Sequence, residues 1–176
     1  MSECVAVIVN IARVDVPSLR KGQRKNSPTA YYSMGLRRQM VQHIFVYGTL
    51  KTGQLREDCW PHHPLVIEKA TVRGQLYDLG SYPALRPGDD IIEGEAWKLA
   101  ELDLPETLSV LDEIEGFYDS PRDLYKRVTI ECELIGDQCG EHAACVTAFT
   151  YHFSTTLDEA RRIQPSDDGL CRWPVT

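Results

Sequence analysis

No stretch of this chain is apolar for long enough to cross a bilayer, which takes about 20 consecutive residues. The longest run near the start, Val5-Ala6-Val7-Ile8-Val9, ends at Asn10. A mean hydropathy of −0.30 with 43% hydrophobic residues suits a soluble globular protein without a membrane partner. The six cysteines (Cys4, Cys59, Cys132, Cys139, Cys145 and Cys171) contain no C-x-x-C pair, and 176 residues can bury a core without disulfide staples. Reduced thiols are the expectation, and with them a cytoplasmic location. His62 and His63 follow Cys59, but no second Cys/His cluster completes a zinc set. The spacings G-x-x-x-x-G-K-[ST] and G-x-G-x-x-G are also missing, which excludes those two nucleotide-binding loops.

Basic residues are scarce in the main body. Residues 1–40 hold seven Lys/Arg against two Asp/Glu, so of the 19 basic and 26 acidic residues in the chain, 12 and 24 remain for the rest. An acidic domain repels a phosphate backbone, so no nucleic acid is expected and a small molecule is the better partner. The first forty residues read as a basic extension: Lys21, Arg24 and Lys25 lie among Gly22, Asn26, Ser27 and Pro28, a linker composition. A tail, an early translation start, an accessory piece and a targeting peptide all remain open for it. The divisions expected are the extension over 1–40, a domain over 41–160 and a tail over 161–176.

From His43 onward β-prone runs dominate. Ile44 to Tyr47, Thr71 to Tyr77, Ile91 to Leu99, Arg127 to Leu134 and Ala144 to Phe153 are each bounded by turn formers or polar breaks. In the fourth run Val128, Ile130, Cys132 and Leu134 share a face. Five or more short strands with few helices predict an α+β fold, a small mixed β-barrel of five to seven strands with one or two packed helices. One helix is clear: Asp103 can cap it, Pro105 suits the first turn, and Gly116 stops it.

That helix places a carboxylate oddly. Leu104, Leu108 and Leu111 form one stripe at 100° per residue, and the next position along it is Glu115. Asp112 falls on the shoulder, and Glu113 points away. Burial and the negative end of the helix would both raise the pKa of Glu115, suiting it to take and return a proton near neutrality. Periodicity alone leaves the alternative of a solvated glutamate at a fraying last turn.

The second feature is Tyr47-Gly48-Thr49-Leu50, at the end of the first strand. Glycine there allows a sharp turn and close approach of a ligand to peptide N–H groups, which can hold a carboxylate or an oxyanion. By itself the turn is equally a plain strand-to-loop transition.

Taken in order, Phe45-Val46-Tyr47-Gly48-Thr49-Leu50-Lys51-Thr52-Gly53, Gly74-Gln75-Leu76-Tyr77-Asp78-Leu79-Gly80-Ser81-Tyr82-Pro83-Ala84-Leu85, Ile92-Glu93-Gly94-Glu95-Ala96-Trp97, Leu111-Asp112-Glu113-Ile114-Glu115-Gly116 and Leu124-Tyr125-Lys126-Arg127 resemble the gamma-glutamylcyclotransferase-like family, AIG2-like and gamma-glutamylamine cyclotransferase proteins included. The resemblance covers about residues 43–153. It implies that Tyr47, Gly48, Thr49 and Leu50 bind a gamma-glutamyl group, that Glu115 is the catalytic acid/base, and that Tyr125 lines the pocket or simply packs. Tyr82 and Tyr151 are weaker candidates of the same kind.

The implied activity is a metal-independent, amine-releasing lyase or acyltransferase reaction that closes 5-oxoproline, with no cofactor and no covalent nucleophile. A non-catalytic binding or interaction protein on the same fold is the alternative. The chain departs from the family in its long extension, in Trp97 where tyrosine is common, and in a loosely matching end at Gly169-Leu170-Cys171-Arg172-Trp173. Choice of leaving group would reside in loops such as Gln54–Pro64. Oligomeric state is not readable.

Overall fold

The computed structural model describes residues 40–136 and 144–174. The basic extension, apart from Met40, therefore lies outside the described residues. Six strands, β1 (His43–Val46), β2 (Val66–Asp78), β3 (Pro83–Lys98), β4 (Tyr125–Ile135), β5 (Cys145–Phe153) and β6 (Leu170–Cys171), accompany one α-helix, α1 (Leu104–Glu115), among the described residues. The sheet runs β1-β5-β4-β2-β3-β6, and β1 also pairs with β3. That last pairing closes a five-stranded barrel, with β6 added on the outer edge of β3. All pairings in the ring are antiparallel except β1 with β5, which is parallel, so the barrel is mixed. This is the small mixed barrel expected from the strand pattern.

The strands extend beyond the sequence reading. β2 and β3 form one long hairpin, Val66↔Lys98 to Asp78↔Pro83, with a register shift between Gly74 and Gln75. The strand expected from Ile91 begins instead at Pro83 and takes in Arg86-Pro87-Gly88-Asp89-Asp90, because the bulge absorbs the extra residues. The hairpin's turn is tied by the Asp78 carboxylate, which accepts from the Gly80 N–H at 2.9 Å. It delivers Tyr82 and Pro83 to one end of the barrel.

Two apolar clusters explain why β1 is buried on both faces. Phe45 and Tyr47 point into the barrel with Val72, Leu76, Leu85, Ile92, Cys132 and Ala148. Ile44 and Val46 face outward and are covered by Leu104, Leu108 and Leu111 of α1, with Trp97, Tyr125, Tyr151 and Phe153. The alternation of β5 follows from this arrangement: Ala148 and Thr150 look inward, while Phe149, Tyr151 and Phe153 meet the helix layer.

Two details correct the sequence reading. Asp103 occupies the position before α1, but its carboxylate makes no capping hydrogen bond; its carbonyl instead accepts from the Thr107 N–H (3.0 Å) and hydroxyl (2.9 Å). The segment from Arg161, read as loop and tail, is fastened to the barrel. Leu170 and Cys171 pair with Ile91 and Ile92, Ile163, Cys171 and Trp173 join the interior cluster, and Arg172 bridges Glu93 (3.0 Å) and Asp168 (2.6 Å).

Candidate active site

The helix ends as its sequence predicts. Gly116 adopts the left-handed conformation (φ 66°), and the Phe117 N–H reaches back to the Asp112 carbonyl at 2.8 Å, a closure that a side chain at residue 116 would strain. The stop fixes the azimuth of the preceding residue. Glu115 continues the stripe of Leu104, Leu108 and Leu111 and enters a cavity of about 280 Å³ at the end of the barrel. Tyr47, Gly48, Thr49, Leu50 and Tyr125 line the same cavity, so the residues the resemblance assigned to substrate converge on it with Glu115. Tyr82 and Tyr151 line it too, and exposed Glu113 borders it.

The turn after β1 is packed too tightly for any residue but glycine at 48. A Cβ there would lie 2.7 Å from Cγ and 2.9 Å from Cδ of Pro83. Gly48→Ala is therefore expected to cost about 1–3 kcal/mol, read as a lower midpoint in denaturant unfolding. Three carbonyls of the turn are committed: Gly48 accepts from the Lys51 N–H (3.2 Å), Thr49 from that of Arg56 (2.8 Å) and Leu50 from the Trp60 indole (3.1 Å). Among the described residues no oxygen accepts from the N–H groups of Gly48, Thr49 or Leu50. Buried peptide donors of this kind need a partner, and a bound anion or carbonyl can be one.

Burial raises the pKa of Glu115 to about 7, against a smaller downward pull from the charge of Arg56. Burial is also the first cause that lifts the phenols of Tyr47, Tyr125 and Tyr151. These three stay protonated and act as donors. Tyr47 donates to the Tyr151 carbonyl (2.8 Å), Tyr125 to the Pro83 carbonyl (3.0 Å) and Tyr151 to the Asp112 carboxylate (2.7 Å). The phenols therefore brace the walls of the cavity.

Sequence reasoning missed two groups here. Asp112, assigned only to the helix shoulder, pairs with Arg127 of β4, and Arg127 also lies against the rings of Phe117 (5.4 Å) and Phe149 (5.8 Å). Arg56 lines the cavity from the loop after the turn. No periodic signal marks either role, although Arg56 belongs to Gln54–Pro64, the loop expected to govern the leaving group. His62, three residues after Cys59, meets Glu106 at 2.8 Å. Trp97 stacks on Trp60 at 4.2 Å and 13°, outside the cavity lining.

A closed mixed barrel with a glycine turn and a half-dry carboxyl group at its mouth defines a class of small pocket-bearing domains. Residues 44–173 match the sequence profile of the family described as "Gamma-glutamyl cyclotransferase, AIG2-like", and the chain belongs to that family. It is 32% identical over 108 residues to the gamma-L-glutamyl-butirosin B gamma-glutamyl cyclotransferase of Niallia circulans, covering 60% of this chain and 65% of that protein, just under two thirds of its length. A gamma-glutamylcyclotransferase family protein of Citrobacter rodentium, YtfP, is 40% identical over 65 residues, 34% of this chain and 57% of that protein. The crystal structure of an AIG2-like protein from Mus musculus superposes with a TM-score of 0.51 at 25% identity, over 76% of this chain and 96% of that one.

Proposed function

We propose that the protein is a gamma-glutamylcyclotransferase that closes a gamma-glutamyl group to 5-oxoproline and releases the attached amine. The observation that carries this reading is a carboxyl group poised near pH 7 in the same cavity as three consecutive uncommitted peptide N–H groups. Family membership supports the reaction type. Tyr47, Gly48, Thr49 and Leu50 hold the glutamyl group, with their N–H groups on its carboxylate or on the developing oxyanion. Tyr125 and Tyr151 form the wall beside it.

Glu115 takes a proton from the substrate's alpha-ammonium, and the freed nitrogen attacks its own gamma-carbonyl carbon. The new C–N bond closes a five-membered ring, and the original amide C–N bond breaks as Glu115 protonates the departing nitrogen. Two protons pass in total from the attacking to the leaving nitrogen, so the reaction consumes no water. Both reacting groups belong to one molecule, and holding it folded supplies much of the acceleration.

Formation of 5-oxoproline from a panel of gamma-glutamyl amino acids and gamma-glutamyl amines tests the proposal. Binding of panel members without any ring closure would instead favour a non-catalytic pocket. The acid limb of the rate profile is a second expected result. Only ionised Glu115 accepts a proton, so kcat/KM should rise with pH through about 7. An acid limb near the ordinary carboxylate range would mean that another group titrates.

A further inference from the structure

Among the described residues Arg56 is the only lysine, arginine or histidine lining the cavity. The other arginines with a clear role here are committed: Arg127 to Asp112, Arg162 to Asp90 and Arg172 to Glu93 and Asp168. Among the described residues no carboxylate pairs with Arg56. Its backbone is anchored, since its N–H donates to the Thr49 carbonyl at 2.8 Å, so the side chain starts from the glycine turn itself. Its charge is felt at both Glu115 and Tyr125, which places it beside the reacting region rather than out in solvent. A half-buried guanidinium that lines a ligand cavity and makes no ion pair among the described residues is a site for a planar anion.

The position of Arg56 decides which carboxylate. The turn residues Gly48, Thr49 and Leu50 are buried, whereas Tyr82 (37% exposed) and Leu124 (50% exposed) form the open side of the cavity. Arg56 lines the cavity together with Tyr82 and Leu124, and its neighbour Leu55 is 88% exposed, so the guanidinium is carried by a loop at the protein surface. A glutamyl group held by the buried turn, with Glu115 at its amide nitrogen, would direct its leaving group towards this rim. In a gamma-glutamyl amino acid the second carboxylate sits one carbon from that nitrogen, within reach of a cation whose charge Glu115 already feels. An apolar side chain on the same carbon would lie against Tyr82 and Leu124.

We propose that Arg56, with Tyr82 and Leu124, selects gamma-glutamyl substrates whose leaving group is an apolar amino acid carrying a free carboxylate, over those that release a neutral or cationic amine. This rests on the cyclotransferase reading of the cavity. Charge repulsion from Arg56 works against a diamine leaving group, and the neutral amide of the same amino acid loses a charge-assisted hydrogen bond.

Gamma-glutamyl-leucine, gamma-glutamyl-leucinamide and a gamma-glutamyl diamine, assayed for 5-oxoproline release by the wild-type chain and by Arg56→Gln, test the proposal. The expected result is a kcat/KM for the free acid about ten-fold or more above that for the amide, with the diamine lowest, and a ratio near one in Arg56→Gln. Equal use of acid and amide by the wild-type chain, or a preference that survives the substitution, overturns it. So does an equal loss on acid and amide, which would put Arg56 on the glutamyl carboxylate instead. Calorimetric binding of the acid and the amide keeps the two proposals apart. An Arg56-dependent preference in binding without turnover supports the recognition site while removing the cyclotransferase reading, and no binding of either compound removes both.

Discussion

Glu115→Gln is expected to abolish 5-oxoproline formation while leaving the fold and the binding of gamma-glutamyl compounds in place. The amide has nearly the shape of the carboxyl group and keeps its hydrogen-bonding reach, but it cannot take a proton from an ammonium. General acid–base groups are worth about 10² to 10⁴ in rate. Here one group is asked both to accept and to return the proton, so a loss of about 10³ or more in kcat with KM little changed is the expected outcome. Glu113→Gln, two residues earlier on the exposed side of the helix, should leave the rate close to wild type. Full activity in Glu115→Gln would remove the residue from the mechanism.

The same substitution carries a stability signature of definite sign. Burial lifts Glu115 from 4.5 to about 7 in the folded chain. A group with a raised folded pKa contributes stability that is fully present below its unfolded pKa and is lost as pH rises through the folded value. From pH 4.5 to 7 the wild-type chain therefore loses stability, because Glu115 ionises in the unfolded chain while it stays protonated in the half-dry cavity, about 3 kcal/mol in full. The amide of the variant has nothing to ionise. Thermal melting of Glu115→Gln at pH 8 should lie above that of wild type, and the difference should shrink towards pH 4.5. A variant that is inactive and more stable above neutrality is the mark of a group strained for its chemistry. Melting curves that stay parallel across this range would place the carboxyl group in water.

How far the site can be read from sequence depends on whether each residue sits in a periodic element. Glu115 is legible because 3.6-residue geometry ties it to Leu104, Leu108 and Leu111, and because Gly116 fixes where the helix stops. The turn at Gly48 is legible because a strand ends there. The causes of the Glu115 shift are only half visible: burial follows from the stripe, but the opposing charge of Arg56 does not. Arg56 lies in an irregular loop whose path is set by the Arg56 to Thr49 and Trp60 to Leu50 hydrogen bonds, which no local pattern announces. Strand existence is readable, but the closing β1–β3 and parallel β1–β5 pairings are contacts between distant segments with no periodic trace. The strand at Leu170 is hidden by its two-residue length and by the Pro165–Gly169 stretch before it, which has the composition of a loop.

Asp112 shows what else that geometry requires, and Asp112→Ala should be the most destabilising single change near the cavity. Its carboxylate accepts from the Tyr151 hydroxyl at 2.7 Å and pairs with Arg127, so it joins α1 to both β5 and β4 beside Glu115. With alanine there, the Arg127 guanidinium remains half-buried against Phe117 and Phe149 with no counter-charge, and the Tyr151 hydroxyl loses its acceptor. Leaving such groups unpaired costs more than the pair contributes when intact, about 3 kcal/mol for one that is partly solvated. The melting temperature should then fall by about 6–12 °C for a domain of this size. The double variant Asp112→Leu with Arg127→Leu removes both charges at once and should recover part of the loss, because apolar groups can fill the space between helix and barrel. If the double variant is instead as unstable as the sum of its parts, Asp112 and Arg127 act independently and the helix is held to the barrel by its leucine stripe alone.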